Sequence, residues 1–336
     1  MSITEDDWLG LSTPQGAPGR SMLRLHPESP HELHIVVTYP DRQRMLVLDT
    51  SEAAYERAAS AYGKLPRTKG LEISFFRLNR QHYELRIALT SDGLKGVFTT
   101  LVTDIANAIS VNPDNNTAVM AAINQFERWQ NLMRSVGEDG LSVEGRRGLF
   151  GELLLLRDYL IPALGPADAV LSWTGPTGTN QDFQLSGCAL EVKATSARAS
   201  SEISIANERQ LDDTGVDYLI LVLAILDERR GGVGTSLNAM VETTRQAIPG
   251  TASRSDFDDR LVQVGYFPQH RDRYDEPRYT LREIRFWSVR DDFPRIMEAE
   301  LRAGVSTCSY RIQTAGLNSF LLNTDDVRAL IGRTDD

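Results

Sequence analysis

The sequence predicts an α+β protein in two parts, in which a central mixed sheet is flanked by helices. Three observations favour this class. Residues 32–90 contain four short segments with the alternation of apolar and polar side chains that is typical of strands. Residues 94–110 carry an apolar stripe at helical spacing. Residues 217–226 form an apolar run, which predicts a central strand that is covered on both faces.

Composition and charge limit the class of protein further. The chain has 336 residues, enough for two domains, and it is 41% hydrophobic and 24% charged, as in ordinary globular proteins. Its two cysteines, Cys188 and Cys308, lack metal-binding spacing and are expected to be free thiols. The N-terminus resembles no targeting signal and no stretch is long enough to span a membrane, so we expect a cytoplasmic protein without membrane contact.

The first domain is expected over residues 1–112. The first 30 residues are rich in Pro and Gly and are predicted to form a loop. Three histidines at positions 26, 31 and 34 are not taken as a metal site, because a strand starting at Glu32 directs the last two differently and no cysteine joins them. The periodic segments predict strands at 32–39, 44–49, 71–78 and 83–90, and helices at 52–62 and 94–110.

The second domain is expected over residues 113–336, after the helix-ending sequence that contains Asn112 and Pro113. Its pattern is that of an α/β layer structure. The periodicity predicts helices at 118–135, 143–160, 206–213, 237–247 and 255–262, and strands at 169–173, 181–185, 189–195, 200–205, 217–226 and 280–289.

Two of these strands carry charges although their neighbours are apolar. They flank a Ser186-Gly187 turn and therefore predict an antiparallel hairpin. Side chains alternate between the faces of a strand, so Glu191 and Lys193 share one face, while residues 190, 192 and 194 point into a core. Asp182 on the partner strand brings a second carboxylate to this place.

Two carboxylates and an ammonium group in one place are typical of a site for a hard cation. Mg²⁺ takes oxygen ligands and keeps several waters, so Asp182, Glu191 and the main-chain carbonyl of Val192 suffice to hold it. Lys193 would position and activate the attacking water and stabilise a pentacovalent phosphate. Glu152, in the predicted helix 143–160, would supply a third carboxylate.

These motifs resemble the PD-(D/E)XK nuclease superfamily. The resemblance rests on the Glu152 helix, Trp173, Gln181-Asp182-Phe183 and Glu191-Val192-Lys193. It implies a restriction-endonuclease-like core and Mg²⁺-dependent hydrolysis of phosphodiester bonds in DNA, with Mn²⁺ able to substitute. The chain departs from the motif at Gln181, where the superfamily name has Pro. More narrowly, these motifs resemble those of an uncharacterised bacterial group within the superfamily, whose members are associated with restriction-modification and phage-defence gene clusters.

The sequence also contains candidate residues for binding substrate, and its charge bears on the expected partners. Arg146 and Arg147 precede Glu152 in the chain and are predicted to bind substrate, as is Gln210. The net charge of −10 and the isoelectric point of about 5.1 count against binding DNA by overall charge, so a local basic groove or a partner subunit is expected. The expected partners are DNA and an ATPase or methyltransferase subunit. The sequence leaves open whether the protein forms a homodimer.

Two alternatives remain open from the sequence. One is a non-catalytic subunit that keeps the fold and binds DNA or protein, against which the intact Asp182, Glu191 and Lys193 argue. The other is a nuclease with the same residues that acts on RNA or branched DNA.

Overall fold

The computed structural model describes residues 3–11, 18–137, 139–196, 201–305 and 307–332. The chain divides into two compact units. The first consists of Met1–Gly137 with Phe267–Gln269, and the second of Glu138–Tyr266 with His270–Asp336. The helix that follows the predicted boundary at residue 112 therefore lies in the first unit. Across the described ranges, every helix is too short or too polar to cross a bilayer.

The first unit is a six-stranded antiparallel sheet with four helices, and the strand order is β1-β2-β3-β6-β5-β4. The strands and helices predicted between residues 32 and 110 are all present. The strands are β1 (Gly19–Arg24), β2 (Leu33–Tyr39), β3 (Arg44–Ser51), β4 (Arg67–Thr68), β5 (Leu71–Arg77) and β6 (His82–Leu89); the helices are α1 (Glu5–Gly10), α2 (Glu52–Tyr62), α3 (Lys95–Ser110) and α4 (Asn115–Val136).

The prediction of a loop over the first 30 residues was wrong for α1 and β1. The N-cap Thr4 accepts a hydrogen bond from the main-chain N–H of Asp7, and Trp8 is buried, so a helix of only six residues is stabilised by its cap and one anchor. Strand β1 lies at the sheet edge and is exposed over most of its length. An edge strand that buries no face leaves no alternation in the sequence to detect.

The second unit contains a five-stranded mixed sheet of order β13-β11-β10-β8-β7 and a separate pair, β9 with β12. This confirms the predicted mixed sheet flanked by helices. The strands are β7 (Phe183–Leu185), β8 (Cys188–Ser196), β9 (Glu202–Ile205), β10 (Tyr218–Arg229), β11 (Arg278–Ser288), β12 (Tyr310–Gln313) and β13 (Leu321–Leu322); the helices are α5 (Val143–Leu155), α6 (Ile161–Leu164), α7 (Pro166–Ser172), α8 (Leu237–Gln246), α9 (Thr251–Gln263) and α10 (Thr324–Ile331).

Strand β10 is central, as its apolar sequence predicted. It pairs in parallel with β8 and antiparallel with β11. Ile220 and Val222 face a core formed with α5, α7, α8 and α9, whereas Leu221 and Leu223 face a second core formed with β9 and β12. Burial on both faces explains why the run lacks the polar alternation of a half-exposed strand.

Strand β11 contains a bulge opposite Ile225 and Leu226, where Arg282 is skipped in the pairing with β10. The extra residue shifts the alternation of side chains by one position. Phe286 on one side of the bulge and Tyr279 on the other therefore belong to the same core, although their numbers differ by an odd interval.

Two further predictions were wrong. Residues 169–173 were predicted as a strand, but Ala169 belongs to α7, which starts at Pro166, a residue favoured in the first turn of a helix. Residues 206–213 were predicted as a helix, but they form turns. The side chain of Asn207 accepts a hydrogen bond from the main-chain N–H of Arg209, which stabilises a turn in competition with a helix.

The long apolar helix is present as predicted, and it continues through a π-helical turn at Leu156–Leu160 into α6. Gly151 lets α5 approach β8 closely. A methyl group on Gly151 would lie 2.9 Å from Cβ of Ala194 and 3.6 Å from Cγ1 of Val192. The separation between helix and strand is therefore fixed by the absence of a side chain at this position.

We expect Gly151→Val to destabilise the protein by about 1–3 kcal/mol, because the added side chain forces α5 away from β8. For a domain of this size, each kcal/mol of lost stability lowers the Tm by roughly 2–4 °C. The matched control is Gly148→Ala in the same helix, where an added methyl group meets nothing within 4 Å. Gly148→Ala is expected to stabilise by about 0.5–1 kcal/mol. Equal effects of the two substitutions on thermal unfolding would contradict this account.

Candidate active site

The hairpin predicted from the sequence is present, and it places the acidic residues at one edge of the sheet. Strand β7 pairs antiparallel with β8, with Phe183 opposite Leu190 and Leu185 opposite Cys188. Asp182 immediately precedes β7, and β8 continues beyond Leu190 without β7 as a pairing partner. The side chain of Asp182 lies at this unpaired part of β8.

Glu191 is the most buried charged residue of the site, with 1% of its surface exposed. Its Oε1 accepts a hydrogen bond from Nζ of Lys193, at 2.7 Å, as expected for two residues on one face of a strand. Its Oε2 is buried and has no hydrogen-bond partner in the described ranges. Burial, and then the neighbouring charge of Asp182, raise the pKa of Glu191 well above its ordinary value.

Asp182 is held against the edge of β8. Its Oδ2 accepts a hydrogen bond from the main-chain N–H of Val192, at 2.7 Å. The N–H and carbonyl of one strand residue face the same side, so the Val192 carbonyl faces the edge where this carboxylate lies. Burial raises the pKa of Asp182 and outweighs the hydrogen bond from Val192, which lowers it.

A short loop wraps around the main chain of Asp182. The main-chain N–H groups of Thr174 and Gly175 both donate to the Asp182 carbonyl, each at 2.9 Å. A side chain on Gly175 would lie 3.0 Å from Oδ1 of Asp182 and 3.2 Å from its Cα, so only glycine allows this approach without displacement. The role of Gly175 was not predicted from the sequence.

Glu152 reaches the same group from α5. Its Oε2 accepts a hydrogen bond from Nε1 of Trp173, at 2.8 Å, and the ring of Trp173 is fully buried. Burial, and then the charge of Asp182, raise the pKa of Glu152 to about 8. Glu152 and Asp182 therefore act on each other electrostatically, and so do Glu191 and Asp182. The structure brings these three carboxylates and Lys193 together.

Gln210 also lies in this group, although on a turn and not on the predicted helix. Its Oε1 accepts hydrogen bonds from Nζ of Lys193, at 2.9 Å, and from the main-chain N–H of Ala206, at 2.8 Å. The turn is held by buried Gln181, whose Nε2 donates to the carbonyls of Arg209 and Asp212, each at 3.1 Å. Gln181 stands where the superfamily name has Pro, and its positioning role was not predicted.

Arg146 and Arg147 lie apart from the carboxylates, in the first turns of α5. Arg147 forms an ion pair with Glu228 at 2.8 Å. Nη1 of Arg146 donates to the main-chain carbonyls of Arg273 and Glu276, each at 3.3 Å. Both arginines line a cavity of about 620 Å³. None of the three carboxylates is among the residues that line this cavity, so Arg146 and Arg147 lie outside the acidic group.

The oxygen atoms of this group fit a hard divalent cation. In the ranges the structure describes, no three His, Cys, Asp or Glu side chains form a preassembled metal cluster. Two carboxylates and one main-chain carbonyl are enough for Mg²⁺, which keeps several of its waters. The buried, unpartnered Oε2 of Glu191 is the observation that most favours cation binding here, because such an oxygen is costly without a donor or a cation.

The fold and this acidic group together are those of a nuclease-like PD-(D/E)XK protein. The family model described as "Putative PD-(D/E)XK family member, (DUF4420)" matches residues 4–315, nearly the whole chain. The chain belongs to this family and through it to the PD-(D/E)XK superfamily. No curated protein and no solved structure matches the chain. Nucleases of this superfamily typically use divalent metal ions.

We expect the pH dependence of stability to reveal the buried carboxylates. The unfolded chain releases the Glu152 proton near the ordinary pKa of 4.5, whereas the folded protein keeps it up to about pH 8. This group therefore favours the folded state below pH 4.5, and its contribution is lost as the pH rises to about 8. Glu152→Gln removes this dependence while keeping an acceptor for Trp173. In EDTA, the variant should have a higher Tm than the native protein at pH 8, and a smaller difference at pH 5.

The matched control for this experiment is Glu144→Gln, in the exposed first turn of the same helix. It changes the same functional group but should leave the pH dependence of Tm as in the native protein. A loss of Tm in Glu152→Gln that is equal at pH 5 and pH 8 would show that Glu152 does not titrate as described.

Proposed function

We propose that this protein is a Mg²⁺-dependent endonuclease that hydrolyses phosphodiester bonds in DNA. One observation carries the proposal: the carboxylate of Glu191 is buried beside Lys193, with one oxygen lacking any hydrogen-bond partner in the described ranges. A folded protein gains no stability from such a group. Its presence next to two further carboxylates favours a functional site that is completed by a cation and substrate.

Asp182, Glu191 and the carbonyl of Val192 would hold the cation, and Glu152 would complete its surroundings directly or through water. Mn²⁺ takes the same kinds of ligand and would substitute. When bound, the cation supplies positive charge that stabilises a pentacovalent phosphate in the transition state. The raised pKa of each of the three carboxylates means that protons compete with the cation for these oxygens.

Lys193 would place a fixed positive charge at the reacting phosphate. Glu191 and Gln210 each accept a hydrogen bond from its ammonium group, so the side chain is oriented before substrate binds. A preorganised charge of this kind stabilises a transition state without a cost of reorganisation when the reaction occurs. Gln210 thereby acts as a positioning residue for Lys193, and its predicted contact with substrate becomes a second role.

The test is cleavage of supercoiled plasmid by the native protein, Lys193→Met and Glu191→Gln, with Mg²⁺, Mn²⁺ or EDTA. We expect cleavage that requires metal and that falls at least ~10²–10³-fold in either variant. The matched controls are Arg285→Met and Glu283→Gln, which alter an exposed carboxylate–arginine pair at the same spacing on β11. These controls should cut at the native rate.

Each outcome separates the proposal from its alternatives. Full cleavage by folded Lys193→Met or Glu191→Gln would refute the assignment. If the native protein binds Mg²⁺ in calorimetry but cuts no DNA, and single-stranded RNA and branched DNA are also left intact, a non-catalytic subunit is favoured. Cleavage of RNA or branched DNA alone would keep the site and change the substrate.

We extend the proposal to a bacterial restriction or phage-defence system, on the basis of the resemblance alone. A partner ATPase or methyltransferase would then bring this acidic protein to DNA. We expect the protein, expressed with its native neighbouring genes, to lower the plating efficiency of phage. Glu191→Gln in the same genes should restore plating, and equal plating with both versions would remove the defence role.

A further inference from the structure

A cavity lined by arginines lies at the start of α5, and the acidic group does not account for it. The cavity of about 620 Å³ that contains Arg146 and Arg147 is also lined by Arg229 and Arg230, at the end of β10, and by Ser196, at the end of β8. Four arginines therefore converge on one cavity in a chain whose net charge is −10.

The positive charge of this cavity is only partly compensated. Arg147 pairs with Glu228, and the other acidic lining residue, Asp227, pairs with Arg282 from outside the lining, at 2.7 Å. Arg229 and Arg230 form no ion pair within the described ranges and are exposed to solvent. Two guanidinium groups thus remain available for an anion. Guanidinium presents several N–H donors in a planar fork that matches a phosphate group.

A hydroxyl group lies beside these charges. Tyr279 is opposite Glu228 in the pairing of β11 with β10, and its hydroxyl is buried without a hydrogen-bond partner in the described part of the chain. Burial, and then the charge of Glu228, raise the pKa of Tyr279 to about 12, so the hydroxyl stays protonated.

The cavity and the acidic group are built on the same two elements. Arg147 and Glu152 are five residues apart in α5, about 7.5 Å along its axis. Ser196 and Lys193 are three residues apart in β8, about 10 Å. These separations exceed the advance of about 3.4 Å between successive phosphates of one strand along the B-DNA axis, so the cavity and the acidic group would contact different phosphates.

The lining favours a backbone phosphate over a free nucleotide. Its apolar members are Val143, Leu226 and Pro277, and none of the described lining residues supplies an aromatic ring on which a base could stack. A phosphate that belongs to a strand needs no base contact in the cavity.

We propose that this arginine cavity binds a backbone phosphate of the nucleic-acid substrate, separate from the phosphate that is cut. The inference rests on the proposed function, since it assigns a second contact to the same substrate. Arg229 and Arg230 make the contact, while Arg146 and Arg147 fix the start of α5 and form the opposite wall.

The test is the salt dependence of binding to a fluorescent duplex DNA, measured by anisotropy in EDTA. All proteins carry Glu191→Gln, so that cleavage plays no part. We expect the double variant Arg229→Gln/Arg230→Gln to bind at least tenfold more weakly, and to reduce the steepness of log K against log[salt] by about 0.9, since one phosphate contact is lost. The matched control is Arg285→Gln/Arg311→Gln, which removes the same charge from exposed arginines outside the cavity lining.

Each result decides the inference without depending on cleavage. An unchanged slope in the cavity variant, or the same loss in the control variant, would overturn it. Competition with a nucleoside monophosphate distinguishes a phosphate of the DNA strand from that of a free nucleotide. If the nucleoside monophosphate binds through Arg229 and Arg230, and loss of these arginines leaves duplex binding unaffected, the cavity holds a free ligand and the inference fails. Plasmid cleavage lost in Lys193→Met, together with unaltered salt dependence, would leave the proposed function intact and remove only this contact.

Discussion

The structure depends on a carboxylate that is buried where water cannot solvate it. Glu191 lies in the sheet beside Lys193; burial raises the pKa of Glu191, Asp182 and Glu152, and the charge of Asp182 raises those of Glu191 and Glu152 further. Bringing such charges out of water costs several kcal/mol unless they are paired or neutralised. The apolar cores on both faces of β10 supply the stability that offsets this cost, so the second unit combines a large apolar interior with one strained acidic edge.

The acidic edge is assembled from segments that are distant in sequence, and each is held by a contact outside the group. Trp173 orients Glu152, the Val192 N–H orients Asp182, and Gln210 orients Lys193. Gln181 in turn fixes the turn that carries Gln210. Supporting contacts of this kind hold reactive groups in place before a substrate arrives, which is the condition for stabilising a transition state.

The sequence predicted most of this arrangement because its strongest signals are local. The apolar run of β10 and the hairpin that carries Glu191 need only alternation and a turn to be recognised. Strand β1 could not be found, because its residues bury no face. The helix α7 was missed although Pro166 marks its start, since a short apolar run fits either structure.

The supporting contacts of the site were harder to predict, because they join residues far apart in the chain. Arg147 pairs with Glu228, 81 residues away, and Gln181 contacts carbonyls about 30 residues away. No spacing in the sequence encodes such partners. The approach of Gly175 to Asp182 is likewise visible only once the loop has folded around the main chain.

The bulge in β11 restricts how this protein can change its length during evolution. Arg282 is the extra residue that lets Phe286 and Tyr279 share one face of the sheet. Loss of this extra residue would leave an even interval in a regular strand, so Tyr279 would stay on the face where its ring contacts Phe150. Loss of a second residue would turn Tyr279 to the opposite face, so homologous chains should be able to lose the bulge but no further residue between Tyr279 and Phe286.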